Sequence, residues 1–85
     1  MRVVLHKKFE KKLKKYPFLK DQARERIILF AADINYPILN NHALVGRWIG
    51  YRSINITGDY RAVYRLDGEN VAYFVDLDTH SNLYR

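Results

Sequence analysis

The 85 residues are 48% hydrophobic and 14% aromatic with a net charge of +6, which suits one small folded domain, residues 1–85, and is too apolar for a disordered segment. The chain has no cysteine, so disulfide staples and thiolate zinc sites are excluded. No run is long and apolar enough to cross a bilayer, and the N-terminus lacks the apolar stretch of a secretion signal, so the expected location is the cytoplasm, without membrane contact.

Val3-Val4-Leu5 is a short strand candidate. Leu5, Phe9, Leu13 and Tyr16 then recur at helical spacing, which predicts an amphipathic helix over 6–15 with its lysines on the other faces. Pro17 interrupts this helix, because the residue before a proline disfavours helical angles. The same proline suits the opening turn of a second helix, predicted from Pro17 to Ile34 by the stripe Leu19, Ala23, Ile27, Phe30, Ala31 and Ile34. Asn35-Tyr36-Pro37 ends it, and 38–47 reads as a loop.

From Trp48 the period changes to two. Arg52, Ile54 and Ile56 share one strand face; Tyr51, Ser53, Asn55 and Thr57 share the other. Gly58-Asp59 marks a turn, Tyr60 to Leu66 a second strand, Asp67-Gly68-Glu69-Asn70 a hairpin loop, and Val71 to Leu77 a third strand. The tail from Asp78 is too polar for a central strand. The expected class is α+β, in the order β-α-α-β-β-β, with the helical hairpin packed on one face of a small, mainly antiparallel twisted sheet. The opposite face or its rim is left for a site.

The charge is uneven. Residues 1–20 carry eight basic side chains and one acid, whereas residues 21–85 carry seven basic and eight acidic ones. Lys8, Lys11, Lys12 and Lys15 on the first helix suit phosphates or an acidic partner; a solvated helix face is the plainer alternative. Arg61, Val63 and Arg65 alternate on one face of the second strand, and two unpaired arginines are costly to bury, so that face is expected to be exposed. His80 lies in a polar tail beside Thr79, Ser81 and Tyr84, without the neighbours of a core histidine. Asp76 and Asp78 share a strand face and read as a polar strand end. A metal site is not expected, because His6, His42 and His80 have no ligand spacing. No glycine-rich phosphate loop, nucleophile elbow or dinucleotide fingerprint is present, so no cofactor is expected.

Two stretches carry a family resemblance. His42-Ala43-Leu44-Val45-Gly46 with Trp48-Ile49-Gly50-Tyr51 is similar to the H-x-L-x-G-x-W-x-G-Y motif of the YafQ-like branch of RelE/ParE toxins, and Thr79-His80-Ser81-Asn82-Leu83-Tyr84 to that branch's terminal T/S-H-S-x-L-F/Y. Between them, Gly50 to Arg65 resembles the superfamily's central hairpin. The resemblance implies a type II toxin that cuts mRNA, in the ribosomal decoding site, by acid–base catalysis without metal. Its partners would be mRNA, ribosomal RNA and an acidic, partly disordered antitoxin.

The resemblance also implies roles. Arg61 would stabilise the scissile phosphate, His80 would transfer protons, and Tyr84 would stack on a base or assist proton transfer. Asp59 and His42 are linked to activity in the branch. Arg47, Arg52, Asn55 and Arg65 would contact RNA. Each has a structural alternative: Tyr84 as packing for the C-terminus, Asp59 as turn chemistry, His42 as a loop organiser, Arg47 and Arg52 as solvent-exposed side chains. Relatives often carry histidine at the Asn55 position; asparagine hydrogen-bonds but transfers no proton near neutral pH. Two other functions share the fold, a non-enzymatic inhibitor of DNA gyrase like ParE and a degenerate toxin that only binds.

Overall fold

The computed structural model describes residues 1–84, and its elements follow the hydrophobic periods of the chain. β1 (Arg2–Leu5) leads directly into α1 (Lys7–Lys15). His6 caps that helix, its Nδ1 accepting from the Lys8 N–H at 3.2 Å. Phe9 enters the core, with Leu13 and Tyr16 packed beside it. Pro17 opens a single 3-10 turn, Pro17–Leu19, and α2 follows as Lys20–Ala32. The second helix therefore starts later and stops earlier than its apolar stripe suggests. Asp33 turns extended, and its carboxylate accepts from the Asn35 N–H at 2.9 Å, a local bond that competes with further helix.

The segment expected as a loop contains a two-residue edge strand, β2 (His42–Ala43). The strand expected from Trp48 begins at Arg52: β3 spans Arg52–Asn55, after a 3-10 turn at Gly46–Trp48. Gly46 and Gly50 have φ of 65° and 89°, which bends the chain where a strand would need extended angles. β4 (Tyr60–Asp67) and β5 (Val71–Thr79) form the long central hairpin. A one-turn helix, α3 (His80–Leu83), closes the described chain.

The sheet order is β1-β5-β4-β3-β2, with β1 parallel to β5 and the remaining pairs antiparallel. The class is α+β, as the element order predicts. Ile54, Ala62, Tyr64, Ala72, Phe74 and Leu77 point to the helices and enclose Phe9, Leu19, Ala23 and Phe30. Phe30 meets the ring of Tyr64 at 4.7 Å and that of Phe74 at 5.2 Å, both edge-on, an arrangement favoured by ring quadrupoles.

The opposite face carries Ser53, Asn55, Arg61 and Val63, because Ser53 pairs with Val63 and Asn55 with Arg61. This face is not open along its length. Leu83 and Leu44 cover Val63 and make a second, smaller core with Trp48, Tyr51, Val75 and Tyr84 around it. The register shift between Val63 and Tyr64 leaves Val75 unpaired in β5, a bulge that turns its side chain toward this cluster. The expectation of an exposed arginine face is thus corrected: the terminal turn folds back over half of it.

Candidate active site

Arg61 projects from the middle of the sheet and is only 5% exposed. Its Nε donates to Ser53 Oγ at 2.9 Å and its Nη1 to Asn55 Oδ1 at 2.8 Å. Its Nη2 donates to the carbonyls of Asn40 at 2.9 Å and Ser53 at 3.3 Å. All these acceptors are neutral. Asp78 is the cross-strand neighbour of Arg61, yet its carboxylate turns to Lys12 Nζ, 2.7 Å away. Burial pulls the guanidinium pKa below its ordinary value, and the Tyr84 hydroxyl beside it works the other way. The result is a fixed, desolvated cation satisfied by dipoles.

The terminal segment is fastened above it. Thr79 Oγ1 caps α3 by accepting the Asn82 N–H at 3.2 Å, and the His80 N–H donates to the Asp59 carbonyl at 3.0 Å. At the other end, Trp48 Nε1 and Arg47 Nη2 both donate to the Leu83 carbonyl, at 2.8 and 3.0 Å. These bonds place the Tyr84 hydroxyl 3.1 Å from Ser53 Oγ. The ring of exposed His80 meets the Tyr84 ring edge-on at 4.5 Å. His80, Tyr84, Ser53 and Arg61 are therefore successive members of one contact chain. Beside Tyr84 opens a groove of about 470 Å³, walled by His42, Leu44, Arg47, Trp48 and Leu83.

Not every residue singled out from the sequence reaches this cluster. The His42 ring does: Nδ1 lies 3.2 Å from Arg61 Nη2 and 3.0 Å from the Asn40 carbonyl. It serves only one of these at a time, since accepting from the guanidinium requires it unprotonated. Asn55 orients Arg61. Asp59 is exposed on the hairpin turn and tied to the tail through its backbone. Arg47 is engaged with the carbonyls of α3 and with the Trp48 ring at 5.5 Å. Arg65 is exposed further along β4, 4.6 Å over the Tyr73 ring.

Two expectations are corrected. Arg52 pairs with Tyr64 on the helix side of the sheet and donates to Asn41 Oδ1 at 3.0 Å, so it does not share a face with Arg61. Its alternation with Ile54 and Ile56 carried that information. Lys12 bridges Asp76 and Asp78, at 3.2 and 2.7 Å, and Lys8 lies 3.2 Å from Asp76; these two lysines neutralise the polar end of β5. Lys11 and Lys15 remain exposed, Lys15 above the Tyr16 ring at 5.4 Å. Ser53, the link between Tyr84 and Arg61, was missed, although it alternates with Asn55. Asn40 lies in the stretch expected as a loop; its backbone is left-handed, φ 44°, and its carbonyl accepts from the guanidinium.

Residues 3–84 match the ParE toxin family of type II toxin–antitoxin systems, parDE. The chain belongs to that family, within the RelE/ParE superfamily. The toxin superimposes on YafQ from E. coli strain BL21(DE3) over the whole of both chains, with a TM-score of 0.83 at 20% identity. A metal-bound toxin from Helicobacter pylori is 27% identical, with a TM-score of 0.79 over 99% of each chain. YafQ in the E. coli DinJ–YafQ complex gives a TM-score of 0.74 at 20% identity, again over all of both chains. No curated protein sequence matches. Among the toxin's described residues no three His, Cys, Asp or Glu side chains are gathered in a way that would hold a metal, and no helix is long and apolar enough to cross a membrane.

Proposed function

We propose that this type II toxin is an endoribonuclease that cuts mRNA by side-chain acid–base catalysis. The observation that carries the reading is the contact chain from His80 through Tyr84 and Ser53 to Arg61, with steps of 4.5, 3.1 and 2.9 Å. It joins a proton carrier, a hydroxyl and a desolvated cation at one place on the sheet. RNA supplies its own nucleophile. The 2′-oxygen bonds to phosphorus as its proton leaves, the bond to the 5′-oxygen breaks, and that oxygen takes up a proton. The products are a 2′,3′-cyclic phosphate and a 5′-hydroxyl.

An imidazole has one ring nitrogen that gives a proton and one that takes it, and His80 presents its ring at the exposed end of the contact chain, so it moves one of these protons. Arg61 opposes the charge that develops on the phosphate oxygens. Its contacts occupy Nε, both Nη2 hydrogens and one Nη1 hydrogen, so it acts mainly as a preorganised cation with one N–H to spare. Tyr84 stands between the two and offers a hydroxyl and a flat surface for an unstacked base. His42 and Asp59 frame the site from the β2 and hairpin sides. Lys11 and Lys15 meet RNA phosphates from α1. YafQ forms a complex with DinJ; an antitoxin of this toxin, with an acidic segment, covers the same cationic surface.

Primer-extension mapping of mRNA after expression of the wild type and His80→Ala is the test. The wild type is expected to give discrete cleavage sites in translated messages, with His80→Ala weaker by about 10²–10⁴-fold. Undiminished cleavage by His80→Ala rejects the mechanism. The family also admits a second reading, inhibition of DNA gyrase without RNA cleavage. A parallel supercoiling assay separates the two, and gyrase inhibition with intact messages would establish it.

A further inference from the structure

We propose that Lys12 and Asp78 form a clamp that holds the terminal turn over Arg61, which makes Asp78 a positioning residue. The catalytic consequence rests on the nuclease reading above; the mechanical one does not. A four-residue helix has no stability of its own, so α3 keeps its place only through tertiary bonds. The Asp78 carboxylate gathers a share of these bonds from α1, from α3 and from the residues that cap the two. Its Oδ2 accepts from Lys12 Nζ of α1 at 2.7 Å. Its Oδ1 accepts from Asn82 Nδ2 of α3 at 2.9 Å, from the Thr79 N–H at the cap of α3 at 2.8 Å, and from Tyr16 Oη at 3.3 Å.

Asp76 supplies the contrast. It binds Lys8 and the same Lys12, and its remaining bond is to the Leu77 N–H at 2.8 Å. Among the described residues it makes no hydrogen bond to α3. Loss of Asp76 removes charge from the strand edge; loss of Asp78 also unfastens the turn that carries His80 and Tyr84. Lys12 has a further effect. By drawing the Asp78 carboxylate to α1, it leaves Arg61, the cross-strand neighbour of Asp78, with neutral acceptors and its positive charge uncompensated.

The reporter is the indole N–H of Trp48, the chain's only tryptophan, which donates to the Leu83 carbonyl and so senses whether the turn is docked. Its hydrogen exchange is measured by NMR in full-length wild type, Asp78→Asn, Lys12→Met, Lys12→Arg and Asp76→Asn, together with kcat and KM for RNA cleavage. Asp78→Asn and Lys12→Met are expected to speed indole exchange by roughly tenfold or more, and to lower kcat by roughly ten- to a hundredfold while KM stays within about twofold. Lys12→Arg is expected to restore wild-type exchange and rate, and Asp76→Asn to leave exchange near wild type.

Unchanged exchange in both clamp variants overturns the proposal. So does faster exchange with an unchanged kcat, or an equal effect of Asp76→Asn. Should Asp78→Asn fail to fold, Lys12→Met reads the same bond from its other end. A wild type that cleaves no RNA sinks the nuclease reading, and the indole exchange still decides whether the clamp exists.

Discussion

Arg61 combines two duties that a sequence cannot separate. Its alternation with Val63 and Arg65 on one strand face was legible, and so was a sheet face left free by the helices. Its burial was not, because burial depends on α3 returning to cover the strand. Removing it takes the donor from Asn55 Oδ1 and from the Asn40 carbonyl and leaves Ser53 Oγ with Tyr84 alone. Arg61→Ala is therefore expected to destabilise the fold by about 3 kcal/mol in urea titration as well as to abolish cleavage. Ser53→Ala separates the duties. It breaks the link between Tyr84 and Arg61 while its volume is nearly kept, so we expect cleavage to fall about tenfold with a stability loss of about 1 kcal/mol. A stability loss as large as that of Arg61→Ala would show Ser53 to be mainly structural.

At the scale of elements, the helical hairpin and the β4–β5 hairpin follow from periodicity alone. The stripe on α2 predicts Phe30 in the core, and it is fully buried against Tyr64 and Phe74. Phe30→Ala is expected to cost about 3–5 kcal/mol in chemical denaturation, with the m-value unchanged. The misread segments are those whose conformation is set by distant partners. Residues 48–51 have a strand-like composition, but Trp48 turns to bond Leu83, and Gly50 adopts a backbone closed to most residues. The polar tail continues β5 to Thr79 because Lys12 and Lys8 neutralise its carboxylates from another helix.

For the whole molecule, the ion cluster at the end of β5 makes stability depend on pH at both extremes. Burial pushes the Asp78 carboxyl up, but hydrogen bonds from Lys12, Asn82 and the Thr79 N–H hold it well below its ordinary value of 3.8. The stabilisation is complete above that value and is lost as pH falls through the depressed one. Burial likewise lowers the Lys12 pKa, and its bonds to Asp78 and Asp76 more than reverse this, leaving it above 10.5. That contribution is complete below 10.5 and is lost as pH rises through the raised value. Thermal melts of wild type and Asp78→Asn are expected to differ by a constant margin between about pH 5 and 9, and the margin is expected to shrink progressively as pH falls below the ordinary carboxyl value of 3.8 toward the depressed one. RNA affinity, measured against salt, is expected to lose about 0.7 in log–log slope for each of Lys11 and Lys15 changed to Gln.

The sequence by itself determined the class, the order of the main elements, the family resemblance and the set of polar residues available to a site, because hydrophobic period and turn chemistry act over a few neighbours. Only the tertiary structure decided which cations are free. Whether Lys12, Arg52 or Arg61 faces solvent, a carboxylate or a ring of dipoles depends on residues tens of positions away, brought together by sheet register and by the return of the terminal turn. Charge can be counted along a chain; its compensation is a property of space.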